Sequence, residues 1–190
     1  MRYSIFSIVA IVLLLLACSK QKSNEEVLKA YLESHNKNDV EAVMENLDEN
    51  AKYTMPGRPP INNVRKAEAW DASISSFLEY DSWQVKGDTI VVGKIFERNN
   101  WFSKAGLPGV EYEPGTKVIF KEGKILEIRS AEMTQKSQNE LANVYQSFIL
   151  WVQNTRPEEL QKLMKNGELV LNEEVAKDWF LLLDQWQRSR

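Results

Sequence analysis

Few side chains in this 190-residue sequence have the type and spacing that catalysis or metal binding requires. His35 and Cys18 are the single histidine and the single cysteine, so a zinc site built from the usual Cys and His ligands lacks donors. The sequence has no calcium-loop spacing of acids, no G-x-S-x-G, no phosphate-binding glycine loop and no catalytic Cys with a His partner. His35 lies in a polar segment at a helix end, where capping or exposure to solvent is expected. We therefore predict neither a metal nor a cofactor.

Cys18 follows an unbroken apolar run from Ile5 to Leu16. This pattern predicts a signal peptide over residues 1–17, since the run is shorter than the ~20 residues of a membrane span. The segment LLAC, which ends at Cys18, resembles the lipobox of bacterial lipoproteins. The resemblance implies that Cys18 is diacylated and anchors the protein in a lipid bilayer. An ordinary signal peptide cut near Ala17, which leaves a free thiol, is the alternative.

The segment after the apolar run is polar, and residues 18–24 are predicted to form a lipidated tether. We expect the protein in the cell envelope, and Ser19 rather than Asp after the cysteine favours an outer membrane where the source has one. The net charge is −3, or −4 once Arg2 is removed with the signal peptide. No basic patch or stripe is present, which argues against nucleic acid as a partner.

The sequence from Glu25 onward predicts two helices, a strand and a third helix. Apolar residues recur at helical spacing from Val27 to Leu32, a polar break covers residues 35–38, and Asp39 can cap the second helix. A strand over 51–55 and a Pro-Gly loop over 56–60 follow. The third helix is predicted to carry Glu68 on its polar face. Its apolar face is predicted to contain Ala67, Trp70, Ile74, Phe77 and Leu78.

From Ser82 the sequence has the period of strands. Runs rich in Val, Ile, Phe and Trp cover residues 83–85, 89–102 and 116–133, and Glu122–Gly123 marks a tight hairpin. Helices followed by a series of antiparallel strands predict an α+β domain with helices on one face of a curved sheet.

The segment VLKAYLESHNKNDVEAVMENLDENAKYTMPGRPPINNVRKAEAW, followed by long hairpins, resembles the SnoaL-like and ketosteroid-isomerase-like branch of the nuclear transport factor 2 (NTF2) superfamily. The shared features are a first-helix Tyr, an HNxxD-type turn, a strand, a Pro-Gly loop and a Trp-bearing helix. The resemblance implies a cone-shaped, curved antiparallel sheet around the N-terminal helices over residues 25–134. Such cones leave a pocket and host isomerases, dehydratases, cyclases, hydrolases and non-catalytic binders. Dimers through the sheet face are common among them, so a homodimer stays open.

Taken residue by residue, the resemblance places Tyr31 at the oxyanion tyrosine of the isomerases, Met55 at their catalytic aspartate and Thr116 near their second aspartate. A thioether cannot take up a proton at neutral pH, so Met55 argues against that proton transfer and suits core packing or an apolar ligand. Glu132 is the remaining candidate acid. Hairpin counting puts it on the strand face of Ile128 and Ser130, which the resemblance turns toward the pocket.

Several large side chains are predicted either to line the cone or to form its core. The candidate ligand-binding residues are Tyr31, Tyr53, Met55, Trp70, Trp101, Phe120 and Glu132. Tyr31 and Glu132 are also the candidate catalytic residues, and the expected ligand is a small apolar or amphipathic molecule.

Residues 135–190 predict a helical extension beyond the cone. Helices are expected over 137–153, from Pro157 to a stop at Lys165–Gly167, and from Glu173 onward. Their apolar stripes must be buried on the sheet, over the cone mouth or against a second subunit, and packing on the same domain is the default.

Three functions are compatible with these patterns. The first, which the sequence favours, is a membrane-anchored lipoprotein that binds a small apolar molecule without transforming it. The second is an isomerase, dehydratase or cyclase that uses Tyr31 and Glu132. The third is a protein-interaction domain with a filled cone, whose signs would be a collapsed cavity and an exposed Trp179 or Trp186.

Overall fold

The N-terminal region begins with the two helices and the strand that the sequence predicts. The computed structural model describes residues 22–165, 168–170 and 172–190. Helix α1 spans Asn24–Asn36 and α2 spans Val40–Met44, and strand β1 runs over Leu47–Thr54. The Asp39 side chain accepts a hydrogen bond from the backbone N–H of Ala42 at 3.0 Å, so the predicted cap of the second helix is present. Cys18 and the predicted signal peptide lie outside the described residues.

Helix α3 spans Val64–Ser73 and is shorter than the sequence predicts. The predicted apolar face continued to Leu78, but Ser75 adopts a positive φ of 54°, which ends the helix. Phe77–Tyr80 then forms strand β2. A second correction concerns Trp101, which the sequence places in a strand. It belongs to the short helix α4, Asn100–Lys104, whose N-terminus is capped by Asn99 through a 2.8 Å hydrogen bond from the Phe102 N–H.

The strands form a five-stranded and a three-stranded sheet. The remaining strands are β3 Trp83–Lys86, β4 Thr89–Val92, β5 Ile95–Arg98, β6 Val110–Tyr112, β7 Lys117–Lys121 and β8 Lys124–Arg129. The larger sheet has the order β1-β8-β7-β4-β3 and the smaller one β2-β5-β6. β1 is parallel to β8, and the other pairs of these two sheets are antiparallel. The domain is therefore α+β with a curved, mixed sheet, as predicted apart from its one parallel pair.

The C-terminal region consists mainly of helices. α5 covers Gln135–Thr155, α6 covers Pro157–Leu163 and α7 covers Glu173–Arg188, and the two-residue strands β9 Met164–Lys165 and β10 Glu168–Leu169 pair with each other. The predicted stop at Asn166 and Gly167 lies outside the described residues. Within the described part of the chain, no helix has both the length and the apolar composition needed to cross a bilayer.

Two apolar cores hold these elements together. The first lies between α1, α2 and the five-stranded sheet and includes Leu28, Val43, Ile90, Val118 and Ile125. The second joins α4 to the C-terminal helices through side chains such as Phe148, Leu163, Trp179, Leu183 and Trp186. The extension therefore buries its apolar stripes within the same chain. Its attachment to α4 and α3 puts it beside the open end of the cone.

Candidate active site

A cavity of about 440 Å³ lies inside the cone. Helices α1 and α3 supply one side of its wall, and β1 and the two sheets supply the other. Its lining surface is largely apolar, and polar side chains such as Asp71, Glu97 and Thr116 stand among the aromatic and aliphatic ones, as is usual for a small-molecule site. We call this space the inner cavity.

Glu68 is the centre of the polar network beside the inner cavity. Its side chain is buried, with 3% relative exposure. Its Oε1 accepts hydrogen bonds from the hydroxyls of Tyr31, at 3.2 Å, and Tyr53, and its Oε2 accepts from Nδ1–H of His35 at 2.9 Å. A buried carboxylate is stable only with such partners, so this network allows α1, β1 and α3 to share one polar contact inside an apolar core.

His35 is buried at 5% relative exposure, which corrects the expectation of a capping or solvent-exposed side chain. Its Nε2 lies 3.4 Å from the hydroxyl of Ser76. Burial lowers the pKa of His35, but the hydrogen bond to Glu68 and the charge of Glu68 outweigh that effect, and the net pKa is raised. The two side chains therefore form an ion pair that is almost inaccessible to solvent.

Asp71 also reaches the inner cavity from α3, but its carboxyl group makes no hydrogen bond to another described residue. Burial, together with the charges of Glu97 and Glu68, raises the pKa of Asp71 from 3.8 to about 8, and the nearby His35 lowers it by less. A carboxyl group that titrates near neutral pH and faces a cavity is a candidate proton donor and acceptor.

Glu97 lies on β5, and its charge contributes to the raised pKa of Asp71. One of its carboxylate oxygens accepts a hydrogen bond from the Tyr112 hydroxyl at 2.8 Å, and the other accepts from the Asn99 side chain at 3.0 Å. Gly109 permits this arrangement, because a side chain there would collide with the backbone carbonyl of Glu97. Two hydrogen bonds thus fix the Glu97 side chain, and its charge is part of the reason why the pKa of Asp71 is raised.

Tyr80 offers a free polar group in the cavity wall. Its hydroxyl makes no hydrogen bond to another described residue, whereas the hydroxyl protons of Tyr31 and Tyr53 are directed to Glu68. Burial and the charge of Glu68 raise the pKa of Tyr80, so the group stays protonated. Tyr80 can therefore donate a hydrogen bond to an oxygen of a bound molecule, which is the role that the family resemblance gives to Tyr31.

The spacing of residues on α3 explains how the acids reach the site. Val64, Glu68 and Asp71 follow at i, i+4 and i+7, so they share one face of the helix. Val64 packs in the first core, and the two acids face the same way. The prediction that Glu68 lies on the polar face of the third helix is wrong, because its side chain is buried. Asp71, Glu97 and Tyr80 were not predicted as site residues. The sequence signal that could have identified Glu68 and Asp71 is their helical spacing from the apolar residue Val64.

The structure brings some of the predicted ligand-binding residues together and separates others. Tyr31, Tyr53, Met55 and Trp70 line the inner cavity, as does Thr116, whose hydroxyl accepts from the Ala131 N–H. Trp101 does not line it and packs in the second core. Phe120 does not line it either and is buried in the first core, because the pairing of β7 with β8 shifts between Ile119 and Phe120.

Glu132 lies at the surface and not in the cavity, which corrects its placement by hairpin counting. β8 ends at Arg129, so the alternation of strand faces does not extend to residue 132. Its backbone carbonyl instead accepts a hydrogen bond from the Glu113 N–H at 2.8 Å.

The described residues contain one group with the donor atoms of a metal site. Ligand atoms of His35, Glu68 and Asp71 lie within 4.8 Å of one another. Both oxygens of Glu68 and Nδ1 of His35 are already engaged in hydrogen bonds. This arrangement favours a proton-holding network over a cation site.

The architecture matches solved structures of a known fold. An NTF2-like protein of unknown function from Cytophaga hutchinsonii matches with a TM-score of 0.51 and 9% identity, over 64% of this chain and 98% of that chain. The chain has the NTF2-like fold. A second match is the epoxide hydrolase/cyclase-like enzyme SalBIII of pyran ring formation in the polyether salinomycin, with a TM-score of 0.51 and 17% identity, over 60% of this chain and 92% of that chain. No protein-family model and no curated protein matches the sequence.

Proposed function

We propose that this NTF2-fold protein is an acid–base enzyme that acts on a small, largely apolar molecule in the inner cavity. The observation that carries the proposal is the Asp71 carboxyl, which faces the cavity without a hydrogen-bond partner among the described residues and has a pKa of about 8. The reaction class is an isomerisation, dehydration or cyclisation, since these need a proton acceptor and donor and no cofactor.

Each step of such a reaction has a residue to perform it. Ionised Asp71 removes a proton from a carbon next to a ligand carbonyl, and the electrons of the C–H bond form an enolate. The Tyr80 hydroxyl donates a hydrogen bond to the developing oxyanion. Asp71 then returns the proton to another carbon. Glu68 and His35 act as positioning residues, because they hold Tyr31, Tyr53 and α3 in place.

The experiment uses any molecule that the protein itself retains. Native mass spectrometry of the purified protein, followed by denaturing extraction, identifies that molecule, which is then incubated with the protein in D₂O. Because general acid–base groups contribute about 10²- to 10⁴-fold, Asp71→Asn should slow deuterium incorporation at least 100-fold. The surface variant Asp178→Asn is the matched control and should exchange like the parent. Equal exchange by Asp71→Asn and the parent would refute the proposal.

Binding without turnover is the second candidate function. It is favoured by Met55 and Thr116, which stand where the resemblance expects acids. The same experiment separates the two candidates, since a retained molecule that incorporates no deuterium supports a binder. The signs expected for a filled cone are not found in the described structure, because the inner cavity is open and both Trp179 and Trp186 are buried, at 0% and 3% exposure.

We also propose that the domain is tethered to a bacterial membrane through acylated Cys18. The support is the sequence pattern of residues 1–18, namely the apolar run and the LLAC segment. Cys18→Ser should abolish incorporation of radiolabelled palmitate and move the protein from the membrane to the soluble fraction. Unchanged labelling and fractionation of Cys18→Ser would contradict the anchor.

A further inference from the structure

A second and larger cavity adjoins the inner one. It has a volume of about 1000 Å³ and lies between the mouth of the cone, α4 and the first half of α5. We call it the outer chamber. Trp101 and Phe102 of α4 and Leu141, Ala142 and Tyr145 of α5 contribute to its wall.

The two cavities share part of their walls. Met55, Trp70, Asp71, Glu97 and Tyr112 line both of them, as do Arg58 and Ile61. The candidate proton-transfer group Asp71 therefore stands at the junction and not at the end of a closed pocket. A molecule that reaches Asp71 from the inner cavity can extend past it into the outer chamber.

The outer wall comes partly from α4, which belongs to the predicted cone segment, and partly from the helical extension. α5 begins at Gln135, after the segment 25–134 that the family resemblance covers. The extension adds Leu141, Ala142 and Tyr145 to the aromatic surface that Trp101 and Phe102 of α4 provide. Such a lining buries apolar area of a ligand that the inner cavity has no room for.

From this geometry we infer that the inner cavity and the outer chamber form one continuous binding site for an elongated, largely apolar molecule whose polar group lies at the junction. This inference rests on the proposed ligand-binding role of the inner cavity and specifies its substrate class. Ala142 and the neighbouring lining residues of α5 set the length of molecule that binds.

The charges at the junction favour an uncharged ligand. With Asp71 protonated, the shared wall carries one carboxylate, Glu97, and one guanidinium, Arg58, and these leave it without net charge. A neutral hydroxyl or carbonyl group can hydrogen-bond there without the cost of burying a charge that lacks a partner.

The test compares two neutral probes of different length on the purified full chain. With the hydroxyl at the junction and the ring directed outward, the hexyl chain of 4-hexylphenol reaches farther into the outer chamber than the ethyl chain of 4-ethylphenol. Calorimetric titration at pH 7 should give at least tenfold tighter binding of 4-hexylphenol, because four further methylene groups leave water. Ala142→Trp, which places a large ring in the outer chamber, should weaken 4-hexylphenol binding at least tenfold and change 4-ethylphenol binding less than twofold.

Ser147→Trp is the matched control, since Ser147 is exposed on α5 and does not line the chamber. Ser147→Trp should bind both probes with the affinity of the parent. Partition of the probes into residual lipid is the same for both Trp variants, so it does not contribute to the difference between them. Equal affinities of the parent for the two phenols, no binding of either phenol, or an unchanged 4-hexylphenol affinity in Ala142→Trp would each overturn the inference. The deuterium-exchange experiment does not depend on these binding results. A result that refutes the continuous site therefore does not decide whether Asp71 transfers protons.

Discussion

Replacing Glu68 by leucine is expected to lower the free energy of unfolding by about 4 kcal/mol, since removal of one partner from a buried ion pair typically costs about 3–5 kcal/mol. The substitution leaves the buried donors of Tyr31 and His35 and the partly buried hydroxyl of Tyr53 without their acceptor on Glu68. Each unsatisfied buried donor carries a desolvation penalty. Urea denaturation monitored by circular dichroism measures the change.

Two variants show whether the loss comes from this network. Glu68→Gln keeps the size of the side chain and an acceptor oxygen, so it should fall between the parent and the leucine variant. Glu33→Leu makes the same chemical change on the exposed surface of α1, where the side chain is 67% exposed and forms an ion pair with Lys37. Glu33→Leu should leave the urea concentration at the midpoint of unfolding nearly unchanged. A Glu68→Leu protein as stable as Glu33→Leu would mean that the network does not hold the site together.

Asp71→Asn is expected to stabilise the protein, and increasingly so as the pH rises. The carboxyl has an ordinary pKa of 3.8 and a pKa of about 8 in the folded protein. Below pH 3.8 both states are protonated, so the group adds no pH dependence. Between pH 3.8 and 8 the folded protein keeps the proton and the unfolded chain releases it, so the stability of the parent falls as pH rises through this window.

The asparagine variant lacks this pH-dependent loss. The difference in unfolding free energy between Asp71→Asn and the parent should therefore grow by roughly 5 kcal/mol from pH 4 to pH 8, at about 1.4 kcal/mol per pKa unit. Urea titrations at each pH give the two curves. For the control Asp178→Asn, on the surface of α7, the curve of unfolding free energy against pH should run parallel to that of the parent. Parallel curves for Asp71→Asn as well would show that Asp71 ionises normally.

Local signals in the sequence predicted much of the fold. The Asp39 cap, the hairpin at Glu122–Gly123 and the three C-terminal helices all depend on residues close in the chain, and all are present. The end of α3 was missed because it depends on long-range pairing. Phe77–Tyr80 continues the helical pattern of apolar residues, but its pairing with β5 draws it into a strand.

The candidate site was less predictable than the fold. A helical projection separates the two faces of α3, but it cannot show that the face with Glu68 and Asp71 looks into a cavity, because that depends on the packing of α1 and β1 around it. Tyr31, Tyr53, Met55 and Trp70 line the inner cavity, and all four lie within the segment that carries the family resemblance. Trp101 was assigned to the wrong cavity wall, since its position depends on a helix extension that the superfamily pattern does not contain.

A titration of the Asp71 carboxyl group would show whether this residue can act as the proton-transfer group. Carbon-13 NMR of protein labelled at the aspartate side-chain carboxyl groups, with the Asp71 signal identified by its loss in Asp71→Asn, gives the titration curve. The proposed acid–base chemistry predicts a midpoint near 8. A midpoint close to 4 would show that Asp71 is an ordinary ionised carboxylate, and it would contradict the assignment of this residue as the proton-transfer group.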